Sequence, residues 1–89
     1  MIKITEESIK EHLISKGWKE IINFEKTKIY KSPDKKYELE YNDNFSNLYD
    51  ENGFGWMLII NNSKHESLAC CDVEYIEQIF DLINIYKNY

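Results

Sequence analysis

Five apolar residues in a row, Trp56-Met57-Leu58-Ile59-Ile60, limit this chain's fold more than any other feature. Successive side chains of a strand point to opposite faces, so a half-buried strand alternates apolar with polar. This run does not alternate. It reads as a central strand whose two faces are both at least partly covered. The flanking sequence supplies its neighbours. Tyr37-Glu38-Leu39-Glu40-Tyr41 alternates cleanly, with one apolar and one wet face. Trp18–Phe24 and Thr27–Lys31 form a hairpin around Glu25-Lys26. Ser32-Pro33-Asp34-Lys35 is a turn with Pro preset for its second position. Asn42 to Gly55 is a long polar connection with a short strand expected near Leu48-Tyr49. Asn61-Asn62-Ser63-Lys64 turns the chain, and Glu66–Cys71 returns.

A helix is expected at each end. Glu6–Lys16 follows Thr5, a good N-cap, and Glu6 and Glu7 sit where the helix dipole favours negative charge. Ile9 and Leu13 share one face, and Gly17 suits the left-handed residue that ends a helix. The last helix is expected from about Val73 to Lys87, with Asp72 as N-cap. Its apolar residues, among them Tyr75, Ile79, Leu82 and Tyr86, fill roughly half the helical wheel, more than the ~100° a single packing surface needs. The stripe can therefore serve as core or as the seam of a homodimer. The fold class is α+β: an N-terminal helix, an antiparallel sheet of four to five strands and a C-terminal helix, in two layers and one domain over 1–89. With both helices on one sheet face, the other face stays open. The central strand then shows part of Trp56/Leu58/Ile60 or of Met57/Ile59 outward, and exposed apolar patches mark interaction sites.

Charge narrows the function classes. The net charge is −5 at pH 7, and all 11 basic residues are Lys. A basic groove for direct nucleic-acid binding is disfavoured, and a basic protein surface would be attracted. An aromatic share of 15% argues against disorder. Met1-Ile2-Lys3-Ile4 opens without the apolar stretch of a signal peptide, and no run approaches the ~18 apolar residues of a membrane span. Cys70 and Cys71 are adjacent, so in a strand they face opposite ways and a disulfide between them would distort the backbone. Reduced thiols and a cytoplasmic location are the expectation.

Candidate chemistry is sparse. His65 with Cys70 and Cys71 lacks the four convergent ligands of a zinc site, and no metal or cofactor is expected. Cys71 precedes a helix, but Asp72 would add negative charge beside it, against a reactive thiolate. Glu38 and Glu40 lie roughly 7 Å apart along a strand, yet they read as a charged wet face rather than an acid–base pair. Asp50-Glu51-Asn52-Gly53 evokes a calcium loop, but Gly53 in sixth place puts Ile59 in the twelfth, where an EF-hand needs Glu. It reads as a hairpin turn. The loop 42–55 is long for a compact domain and holds Phe45, Leu48, Tyr49 and Phe54 among acids, a composition suited to partner contact.

Thr5, Leu13, Gly17-Trp18, Trp56 through Ile60 and Tyr75-Ile76-Glu77-Gln78-Ile79-Phe80-Asp81-Leu82 together resemble a group of short, mostly uncharacterised phage and mobile-element proteins of gut bacteria. The resemblance spans most of the chain and implies a fold and a mobile-element setting, with no catalytic residue. The chain departs from that group in its longer middle, 42–55, and in lacking a Gly soon after the last helix. In size, charge and lack of a catalytic constellation it also looks like phage inhibitors of host defence such as anti-CRISPR proteins.

The sequence thus leads to a non-enzymatic, acidic protein-binding module. Its expected partner is another protein with a basic surface, met through Phe45, Leu48, Tyr49, Asp50, Glu51, Phe54, Trp56, Glu38 and Glu40. A small-molecule pocket drawing on Tyr30, Tyr37, Tyr41 and His65, or a homodimer paired by edge strand or sheet face, are the alternatives.

Overall fold

The computed structural model describes residues 1–24, 27–42, 55–61, 64 and 66–87. Helix α1 spans Glu6–His12. Thr5 caps it as expected: its Oγ1 accepts from the Ser8 N–H at 3.1 Å, and the Ser8 Oγ accepts from the Thr5 N–H at 2.7 Å. The expected helix to Lys16 is shortened. After Leu13 the chain tightens into a 3₁₀ turn, Ile14–Lys16, and stops at Gly17, whose φ of 95° is left-handed. The Trp18 N–H then bonds back to the Leu13 carbonyl at 3.1 Å, which ends the helix and aims Trp18 into the core.

Five strands follow: β1 Lys19–Phe24, β2 Thr27–Lys31, β3 Tyr37–Asn42, β4 Trp56–Asn61 and β5 Ser67–Asp72. They pair in chain order as one antiparallel meander. Between β2 and β3 the Lys35 N–H bonds the Ser32 carbonyl at 3.0 Å, which closes the turn expected around Pro33. The strand expected near Leu48-Tyr49 lies outside the described residues.

The C-terminal helix α2 spans Ile76–Tyr86, later than its expected start at Val73. Asp72 is not its cap; it ends β5. The cause is pairing with the N-terminal segment. The Ile4 N–H donates to the Glu74 carbonyl at 2.9 Å and the Ile76 N–H to the Ile2 carbonyl at 2.8 Å, which keeps residues 73–75 extended. The Gln78 Oε1 then takes the N–H groups of Glu74 and Tyr75, at 2.7 and 2.9 Å, and so satisfies donors left over at the helix start.

Both helices pack on one sheet face. Ile9 and Leu13 of the N-terminal helical segment and Ile76 and Ile79 of α2 form one buried cluster with Tyr30, Leu39, Leu58 and Ile60. Glu6 and Lys28 form an ion pair that ties α1 to β2, and the Lys16 ammonium sits 4.1 Å from the centre of the Phe80 ring. The broad apolar arc of α2 is mostly used within the chain. Ile79 is buried, and Phe80, Leu82, Ile83 and Tyr86 pack against the core. The architecture is α+β in two layers.

Candidate functional site

The pairing register settles what the sheet face away from the described helices presents. Directly opposed residues of an antiparallel sheet share a face. Tyr30, Leu39 and Leu58 stand in one row with Cys71, on the helix side. One step along, Ile22, Ile29, Glu40, Met57 and Asp72 form a row across all five strands on the other side. Parallel to it run Lys31, Glu38, Ile59 and Cys70, and at the far end Phe24 stands opposite Thr27. No described helix lies on this face.

Cover here is uneven. Of the two sets that the run 56–60 could turn outward, Met57 and Ile59 lie on this face, yet Met57 is only 8% exposed and Ile59 is half-buried. β4 is an interior strand, so Met57 has a neighbour on each side, Glu40 and Asp72. β1 is an edge strand and has a neighbour on one side only. There Phe24 is 69% and Ile22 42% exposed, and half-buried Ile29 continues the patch into β2. Ile21, the extra residue where the β1–β2 register shifts, is exposed too. Sequence reasoning missed these residues by attending to the central strand. The signal was the adjacent pair Ile21-Ile22, which breaks the alternation of β1 and marks a bulge.

Beside this patch on β3 lie two acids. Glu38 takes Lys31 at 3.3 Å, while no described cation pairs with Glu40. Burial, and then the charge of Glu38, push the Glu40 carboxyl above its usual range. The face therefore joins an exposed apolar edge to an acid with no counter-ion among the described residues. Of the nine expected contact residues, Glu38 and Glu40 lie on this face. Trp56 does not; it is on the helix side, with ring centres 5.0 Å from Tyr41 and 6.3 Å from Tyr30. Phe45, Leu48, Tyr49, Asp50, Glu51 and Phe54 lie outside the described residues.

The other constellations separate. Cys70 stands opposite Ile59 and Cys71 opposite Leu58, on opposite faces, and both thiols are free. His65 is outside the described residues. Burial pushes the Cys71 thiol up, helped by Cys70 and Asp72. Iodoacetamide near neutral pH is therefore expected to label exposed Cys70 before Cys71, read by peptide mass; rapid labelling of Cys71 would restore a nucleophile at this position. Tyr30 and Tyr37 are buried in the core, and Tyr30 and Tyr41 both stand beside Trp56. An open groove of about 290 Å³ does lie between Trp18, Pro33, Tyr37 and Phe80. Among the described residues no helix is long and apolar enough to cross a membrane. No family model, no curated protein and no solved structure matches this chain.

Proposed function

We propose that this chain is a non-enzymatic, cytoplasmic, acidic protein-binding module, acting as a phage or mobile-element inhibitor that seats a basic host protein on its open sheet face. The observation that carries the reading is the juxtaposition of exposed Ile22 and Phe24 with Glu40, an acid whose carboxyl is pushed up and which no described cation neutralises. A partner offering an apolar anchor beside a Lys or Arg would bury the first and neutralise the second. The excess of acids over lysines would speed that encounter at low salt.

The test is capture from host lysate by the immobilised protein, compared with two variants. Phe24→Lys removes the anchor and adds a repulsive charge; Ile85→Lys makes the same change on exposed α2. The expected result is a protein retained at low salt, released at high salt, lost with Phe24→Lys and kept with Ile85→Lys. Equal capture by both variants, or none above background, ends the proposal.

One observation favours a homodimer instead. β5 is the other edge strand, and Ser67-Leu68-Ala69-Cys70-Cys71-Asp72 contains neither the Lys nor the Pro that commonly blunts an edge. Light scattering on the purified chain separates the two readings: a dimer that Leu68→Lys dissociates would favour edge pairing.

A further inference from the structure

Three lysines converge where the Gly17 corner meets the β2–β3 turn. Lys19 and Lys31 are directly opposed in the β1–β2 ladder, and Lys35 follows in the turn; all three line a cavity of about 150 Å³ walled by Ile21 and Pro33. Like charges directly opposite one another in a sheet are destabilising. Lys31 is offset by Glu38, and no described acid pairs with Lys19 or Lys35. Two positive charges are left without a counter-ion among the described residues, in a chain whose net charge is −5.

The backbone adds a second, independent observation. Lys35 has φ 64°, the single left-handed residue other than glycine among those described. The position follows a turn closed by the Lys35 N–H on the Ser32 carbonyl, where Gly or Asn would fit without strain. A lysine there costs backbone energy and brings a third charge to the cavity. The packing that builds the corner is tight: a Cβ at Gly17 would meet the Pro33 ring at 3.1 Å. The two turns are thus pressed together and fix the lysine-bearing walls.

We propose that this cavity binds a doubly charged phosphate group. A dianion would balance the uncompensated charges of Lys19 and Lys35, and ammonium groups serve phosphate as compact point charges. The side chains of Ile21 and Pro33 would face whatever body the phosphate carries.

The test is an amide NMR titration of the folded protein with inorganic phosphate at about pH 8, where phosphate is doubly charged, with ionic strength held constant. Saturable shifts in the millimolar range are expected at Lys19, Lys31, Ser32 and Lys35. Lys19→Gln and Lys35→Gly are each expected to weaken binding roughly fivefold. Lys35→Gly keeps the left-handed backbone, so the fold is preserved while the charge is lost. Glycerol 3-phosphate in the same titration identifies the source. Tighter binding than inorganic phosphate assigns a phosphate monoester, and equal binding assigns the free ion. Shifts that do not saturate, that acetate reproduces, or that persist undiminished in the double variant overturn the site.

Discussion

Leu58→Ala is expected to cost about 3–4 kcal/mol, the largest loss from any single truncation considered. Leu58 is fully buried in the interior strand β4, opposite Leu39 on β3 and Cys71 on β5, with the helix layer above it. Alanine would leave a cavity between the sheet and the helix layer, within the buried cluster that also holds Ile9, Leu13 and Ile79. Those residues sit on separate elements that cannot all move inward at once, so the hole would collapse only in part. For a domain this small, total stability is on the order of 5–10 kcal/mol. The melting temperature is therefore expected to fall by roughly 15 °C or more. Ile59→Ala is the control. It shares the strand and borders Leu58 but points to the open face and is half-buried, so less than half that loss is expected. Equal losses at the two positions, measured by thermal and urea unfolding, would mean that the face away from the helices is as tightly packed as the core.

The contrast between Leu58 and Ile59 also marks the limit of what local pattern conveys. The unbroken run 56–60 announces a strand with neighbours on both sides because both of its faces are partly covered, and β4 is an interior strand, between β3 and the edge strand β5. Thr5, Gly17 and the alternation from Tyr37 to Tyr41 were legible for the same reason: each is a local rule about capping, left-handed backbone or pleat. The start of α2 was not. Asp72 carries a good capping side chain, but the segment at Ile2–Ile4 pairs with residues 74–76, and a contact some seventy residues away in sequence outweighs a local preference. An exposed apolar surface was expected on β4, and the structure has it three strands away, on β1. Pattern reveals which residues are greasy. Which of them lack a neighbour depends on strand order, and β1 became the exposed edge only once the meander was complete. Glu38 and Glu40 were assigned to a wet face from alternation alone; that Glu40 would be partly buried there has no local signature.

Tyr30 supplies the second large effect, visible only at high pH. Its ring is 2% exposed in the core, and its hydroxyl donates to the Glu20 Oε2 at 3.0 Å across the β1–β2 pair. Burial first, then the bond to Glu20 and its charge, raise the phenol from 10.0 to about 12. Below pH 10 the group is neutral in both folded and unfolded chains and the shift contributes nothing to pH dependence. Above pH 10 the unfolded chain releases the proton while the native chain retains it, so stability falls until the pH passes the folded value near 12. The full loss is about 2–3 kcal/mol. Tyr37 is raised in the same direction by burial and by Asp34, so the useful quantity is the difference between wild type and Tyr30→Phe. At neutral pH the variant is expected to be less stable by about 1 kcal/mol, through the lost hydrogen bond. As pH rises from 10 toward 12 the order should reverse, because phenylalanine has no proton to lose in the unfolded chain, whereas unfolded wild type is stabilised by releasing one. Urea unfolding at stepped pH reads the difference directly; a difference that stays constant across that window would mean that Tyr30 ionises as freely in the native core as in water.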